Sequence, residues 1–210
     1  MDSGIKVKIC GMKERDNILT VAALRPHYLG FIEYPLSPRY VGDEFVMPVE
    51  LSQSTTRVGV FVNESSEVIF RKAAIQGYEY VQLHGDETAA QCRELKDGGL
   101  KIIKVFSVDD HFNFAVTKSF VSDADYFLFD TKGKLYGGNG KAFDWNMLKH
   151  YDQEVPFFLS GGLSVDNLAD LTDLAHMNIC AIDLNSGVEV SPGIKDITKV
   201  AKVMDRFPAL

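Results

Sequence analysis

The sequence contains no apolar run near the ~20 residues that span a bilayer, and its first residues lack the apolar core of a secretory signal. A cytoplasmic protein with no membrane contact is therefore expected. Cysteine is scarce and odd in number. Cys10, Cys92 and Cys180 are scattered, without C-x-x-C spacing, which argues against a disulfide framework or a zinc site and for reduced thiols. Positive charge is short as well, with 22 Lys and Arg against 29 Asp and Glu, a net charge of −7. That balance speaks against nucleic acid as a partner. An anionic substrate would need a local basic cluster to overcome it. No linker or low-complexity tract divides the chain, and no G-x-G-x-x-G follows the first strand, as a dinucleotide-binding open sheet would require.

What remains is ordinary globular composition, 46% hydrophobic and 24% charged. Its 210 residues suffice for one α/β barrel domain spanning 1–210. Ile5, Val7 and Ile9 alternate with Lys6, Lys8 and Cys10, the period of a strand. Eight strands are expected in all, at Ile5–Ile9, Tyr28–Ile32, Arg57–Val62, Tyr80–Leu83, Lys101–Phe106, Tyr126–Phe129, Phe157–Leu159 and Ile179–Leu184. Each precedes a helix-compatible stretch, clearest at Ser65–Gln76, Thr88–Lys96 and Ile194–Met204. Strand–helix alternation implies a parallel sheet, and eight units close into a (β/α)8 TIM barrel. The doubly wound sheet is the rival architecture.

Polar residues gather where the expected strands end. They are Cys10, Ser37-Pro38-Arg39, Asn63, His84-Gly85, Asp130-Thr131, Ser160-Gly161-Gly162 and Asn185-Ser186-Gly187. Barrel active sites lie at that rim. The glycine loops after strands seven and eight suit a phosphate, with Ser164 as a cap for the next helix. Cys10 and Asp130 are candidates for a base and an acid. Parity places Lys8 on the same barrel-facing side as Cys10, where its ammonium would favour the thiolate. Asp130 ends an apolar strand, and burial moves a carboxyl toward a proton-donating range. Arg39 offers a planar fork for a carboxylate or phosphate. Tyr136 to Trp145 is glycine-rich and reads as a lid, with Phe143 and Trp145 anchoring its far end.

Over essentially its full length the chain resembles the phosphoribosylanthranilate isomerases of tryptophan biosynthesis. The resemblance rests on Lys8-Ile9-Cys10-Gly11, Gly30-Phe31-Ile32 with Ser37-Pro38-Arg39-Tyr40-Val41, and Val58-Gly59-Val60-Phe61-Val62-Asn63. It continues through Val81-Gln82-Leu83-His84-Gly85, Phe129-Asp130-Thr131 and Gly137-Gly138-Asn139-Gly140 to Phe143-Asp144-Trp145. Leu159-Ser160-Gly161-Gly162-Leu163 and Asp183-Leu184-Asn185-Ser186-Gly187-Val188-Glu189 complete the ordered set. It implies a cofactor-free Amadori rearrangement of N-(5-phosphoribosyl)anthranilate to 1-(2-carboxyphenylamino)-1-deoxyribulose 5-phosphate, with no metal or nicotinamide. It also implies that Asp130 protonates the ribose ring oxygen and that Cys10 removes the proton from sugar C2. Arg39 would hold the anthranilate carboxylate, with His84, Gly161, Gly162, Asp183, Asn185, Ser186 and Gly187 as further substrate-binding residues. The resemblance leaves a monomer and a homodimer both open. Two positions depart from the family pattern. Glu33 stands where an aromatic residue is usual, beside the anthranilate end, and Asn139 replaces a threonine in the lid.

Two rival functions are weighed against this one. A Schiff-base aldolase would use Lys104 or Lys8 as its amine. A non-catalytic barrel would merely bind a sugar phosphate, and would have no use for a paired acid and base.

Overall fold

The computed structural model describes residues 4–52, 55–131, 145–174 and 176–207. Eight parallel strands, each bonded to the next and the last to the first, close a barrel. They are β1 (Lys6–Cys10), β2 (Tyr28–Ile32), β3 (Thr56–Phe61), β4 (Tyr80–Leu83), β5 (Lys101–Val108), β6 (Tyr126–Thr131), β7 (Phe157–Leu159) and β8 (Ile179–Leu184). The expected order is borne out, and closure rules out the open sheet. A hairpin of β9 (Glu189–Ser191) and β10 (Ile194–Lys195) follows β8.

The α-helices are α1 (Arg15–Ala23), α2 (Ser66–Gln76), α3 (Ala89–Asp97) and α4 (Ile197–Arg206). Local chemistry sets their ends. The Ser65 and Thr88 side chains accept from Val68 N and Gln91 N at the starts of α2 and α3, caps worth about 1 kcal/mol each. Gly77 stops α2 at φ 68°, a left-handed turn that a side chain resists. Ile194 and Lys195, expected to open the last helix, belong to the hairpin instead. The helix starts later because Asp196 accepts from Thr198 N and Lys199 N.

Two further expectations fail locally. Among the described residues no helix follows β2, where Pro35, Pro38, Gly42 and Pro48 interrupt any helical register. After β5, β6 and β7 the outer layer is short 3₁₀-helix, at Phe114–Phe120, Trp145–His150 and Leu168–Leu174. Ser164 therefore caps no α-helix; its N–H is held by the Asn167 Oδ1 at 2.9 Å.

Strand alternation sorts the core into two parts. Outward residues such as Val7, Ile9, Leu29, Phe31, Phe127 and Phe129 pack beneath the outer layer. Inward, Tyr28, Val58, Ile103, Val105, Leu128, Phe158 and Ala181 fill the barrel. A fully buried Phe such as Phe158 contributes about 1.5–3 kcal/mol relative to exposure. The polar face of β1 also points inward, so Lys8 is completely buried. A charge so placed needs a partner. Asp183 of β8, directly opposite in the ladder, supplies two oxygens at 3.0 Å each.

Candidate active site

The polar inner residues converge at the carboxyl rim. Cys10 is the last residue of β1, with its thiol beside the Lys8 ammonium. Burial pushes the Cys10 thiol above its ordinary 9.0, and the Asp183 charge adds to that rise. Lys8 and Lys195 pull in the opposite direction without prevailing. Lys8 thus acts in the expected direction, toward the thiolate, but desolvation outweighs it. Lys8 itself is raised; burial alone would lower it, but Asp183 and Cys10 reverse the sign.

Asp130 lies inside β6 rather than beyond it, paired in register with Ser107 of β5. It is only 6% exposed. Its Oδ1 accepts from Thr131 N at 2.8 Å, and its Oδ2 stands 3.5 Å from the His84 Nε2. On the other side of that imidazole, Nδ1 lies 3.1 Å from the Gln82 Nε2. The amide donating to Nδ1 leaves Nε2 as the protonated nitrogen facing Asp130. Asp183 lies within electrostatic reach of Cys10, Asp130 and His84 together. A thiol and a carboxyl on inward faces of β1 and β6, linked through a shared polar layer, can move protons at two atoms of one small substrate.

Arg39 reaches the same mouth from the segment after β2. Glu189 grips its guanidinium, with Nε 2.9 and 3.1 Å from Oε1 and Oε2 and Nη2 2.7 Å from Oε2. The Lys195 Nζ reaches Glu189 Oε1 at 2.7 Å and the Asn185 Oδ1 at 2.8 Å. Burial pushes the Lys195 amine down to about 8 despite Glu189. Burial would raise Glu189, but Arg39 and Lys195 hold its carboxyl below the usual range. The motif ending at Glu189 contained one half of this network; Lys195 and Gln82 were not singled out as functional. The Pro192-Gly193 turn between Glu189 and Lys195 is a hairpin signal that would have brought them together.

The two glycine loops meet at the rim. A Cβ on Gly187 would run into the Leu163 carbonyl oxygen, so the loop after β8 lies directly on the loop after β7. Gly161 and Gly162 have φ of 88° and 70°, and a Cβ on Gly161 would strike Thr131 beside Asp130. Ser186 and Gly187 open a short 3₁₀ turn, Ser186–Val188. Backbone N–H groups of glycines, with no side chain in the way, suit an anion.

Other expected residues are engaged elsewhere. Asn63 holds the chain after β4, its Oδ1 accepting from Asp86 N at 2.6 Å. Glu33 has two side-chain partners of its own. It is buried outside the barrel wall, accepting from Tyr78 Oη and Lys72 Nζ at 2.6 Å each. The Lys104 ammonium binds the Gly85 carbonyl at 2.7 Å and Glu87 Oε2 at 2.8 Å. A lysine so occupied is a poor Schiff-base nucleophile. The lid at Tyr136 to Trp145, with Phe143, Asn139 and its glycines, lies outside the described residues apart from Trp145. Among the described residues, no group of three or more His, Cys, Asp or Glu could hold a metal ion. No described helix is long and apolar enough to cross a membrane.

Residues 7–206 match the family model of N-(5'-phosphoribosyl)anthranilate (PRA) isomerase. The N-(5'-phosphoribosyl)anthranilate isomerase of Phocaeicola vulgatus is 45% identical over 190 residues, covering 90% of this chain and 91% of its own length. That of Parabacteroides distasonis is 42% identical over 207 residues, 96% of this chain and 92% of its own. The crystal structure of phosphoribosyl anthranilate isomerase from Thermotoga maritima superposes with a TM-score of 0.85 at 33% identity, covering 98% of this chain and 100% of that one. Another phosphoribosyl anthranilate isomerase, solved with reduced 1-(o-carboxyphenylamino)-1-deoxyribulose 5-phosphate, superposes at 0.79 with 30% identity over 98% and 100%.

Proposed function

This chain belongs to the PRA isomerase family, and we propose that Cys10 is the general base and Asp130 the general acid of its reaction. The protein is an isomerase of tryptophan biosynthesis that converts N-(5-phosphoribosyl)anthranilate to 1-(2-carboxyphenylamino)-1-deoxyribulose 5-phosphate. The observation that carries the assignment is the inward-facing polar cluster in which Lys8, Asp183 and His84 link Cys10 and Asp130.

Asp130 gives a proton to the ribose ring oxygen, and the ring opens to a Schiff base. Cys10, as thiolate, takes the proton from sugar C2, and the resulting enolamine tautomerises to the ketone. The Lys8 ammonium beside Cys10 favours this thiolate form, against the effect of burial. Arg39 holds the anthranilate carboxylate. Gly161, Gly162, Asn185, Ser186 and Gly187 hold the phosphate, and His84 and Asp183 line the sugar between. Anchors at both ends orient the reacting carbon and oxygen. The chain works as one barrel domain in the cytoplasm, as a monomer or a homodimer; one relative from Thermotoga maritima is described as dimeric.

The test is turnover of N-(5-phosphoribosyl)anthranilate by the purified protein, followed as loss of the substrate's anthranilate fluorescence, with identification of the ketose product. Absence of turnover, or a borohydride-trapped sugar–lysine adduct, would overturn the reading and favour the aldolase.

A further inference from the structure

We infer that Glu189 is a positioning residue for substrate recognition: it fixes Arg39 so that one face of the guanidinium is left for the anthranilate carboxylate. The inference rests on the reading of Arg39 as the carboxylate grip. It adds a residue 150 positions away in sequence.

A guanidinium carries five N–H groups, four of them arranged as two forks, one on the Nε and Nη2 side and one across its Nη1 and Nη2 end. Glu189 occupies the side fork, at 2.9 Å from Nε and 2.7 Å from Nη2. Among the described residues that leaves the end fork open, in the geometry that grips a second carboxylate with two parallel bonds. Without Glu189 the long arginine side chain would have to be ordered at each binding event, which weakens affinity.

Glu189 is itself held in place. Its Oε1 accepts from Lys195 Nζ at 2.7 Å and from Gly193 N at 3.1 Å. Lys195 is in turn pinned through its backbone, exchanging two 2.9 Å bonds with the Asn17 side chain of α1. Its ammonium also donates to the Asn185 Oδ1, next to the expected phosphate loop. Gly11 completes the clasp, since a Cβ there would lie 2.6 Å from Asn185 Oδ1 and 2.9 Å from Arg39 Cδ.

Charge count points the same way. Arg39, Glu189 and Lys195 have side chains 10%, 6% and 0% exposed, so two cations share one carboxylate in a nearly dry site. A buried cluster with an excess positive charge is unfavourable until an anion completes it. A substrate carboxylate on the open fork of Arg39 does so.

The test compares two ligands with Glu189→Gln, which keeps the shape and removes the charge. One ligand is reduced 1-(o-carboxyphenylamino)-1-deoxyribulose 5-phosphate; the other is the same compound without the aromatic carboxylate. Affinity for the first should fall about tenfold or more, the scale of a lost charge-assisted contact. Affinity for the second should change by less than about threefold, since the grip is not used. In turnover, KM should rise while kcat stays within about threefold, because the carboxylate is bound equally in ground and transition states. Glu189→Asp, which keeps the charge on a shorter arm, should restore part of the difference. It serves as the test variant if Glu189→Gln does not fold. Equal weakening of both ligands, or of neither, would overturn the inference. An Arg39→Ala variant separates the two levels. If Arg39→Ala weakens both ligands equally, the reading of Arg39 is wrong; if it weakens only the carboxylate-bearing ligand and the Glu189 variants do not, only the role of Glu189 is lost.

Discussion

Gly30 of β2 stands opposite Cys10 of β1 in the ladder, and a Cβ at Gly30 would lie 2.8 Å from the Cys10 Sγ. The same Cβ would come within 3.1 Å of the Lys8 Nζ. The base and its ammonium thus use the space that a side chain would fill. Gly30→Ala is expected to displace the thiol and lower kcat by about 10²-fold, the scale of a misplaced catalytic group. Circular dichroism should show the barrel retained. Parent-like turnover would mean that the thiol works from another position.

Cys10→Ser tests the base directly. Serine is far too weak an acid to supply an anion near neutral pH, while its size preserves the pocket. Product-analogue affinity is expected to hold while kcat falls by about 10²–10⁴-fold, the usual worth of a general base. Activity within about threefold of the parent would remove Cys10 from that role.

The buried thiol also has a pH signature. Burial holds it protonated above its ordinary 9.0, with Lys8 opposing the shift. Alkylation of Cys10 by iodoacetamide, followed by peptide mass spectrometry, should therefore accelerate with pH beyond 9, because only the thiolate reacts. Lys8→Met removes the opposing charge and should move that profile to still higher pH. The stability sign follows: a thiol raised on folding contributes stability that is complete below about 9 and is lost as pH rises through the folded value. A profile unmoved by Lys8→Met would separate the ammonium from the thiol.

Arg39→Lys is expected to weaken anthranilate-bearing ligands by about tenfold or more and barely affect inorganic phosphate. An ammonium reproduces the charge but not the two-pronged grip, nor the bond to Glu189. Calorimetric titration of both ligands decides the matter. Equal loss for the two would place Arg39 at the phosphate end.

The barrel was legible because its strands are written in local periodicity: Val7 and Ile9 against Lys8 and Cys10 give both the strand and the side each residue faces. Cys10 and Asp130 were legible as rim residues for the same reason. The helix after β2 was not a sound expectation, since Pro35, Pro38 and Pro48 already oppose one. The partners of Glu33, Lys72 and Tyr78, were not legible because they lie far along the chain. The upward push of burial on the Cys10 thiol was not legible for a related reason. A neighbouring ammonium is visible in sequence, whereas desolvation depends on what the closed barrel excludes. The Glu189 and Lys195 network is likewise a product of closure, which brings the end of the chain against Arg39 and α1.

The most direct test of the acid–base account is the turnover number of Asp130→Asn, read from loss of substrate fluorescence alongside product-analogue affinity. Asparagine keeps the shape and a hydrogen-bond donor but cannot release a proton to the ring oxygen. The account predicts that kcat falls by about 10²–10⁴-fold while the fold and product-analogue affinity stay near the parent's. Near-normal turnover would contradict it, because Asn replaces Asp well in a purely structural hydrogen-bonding role.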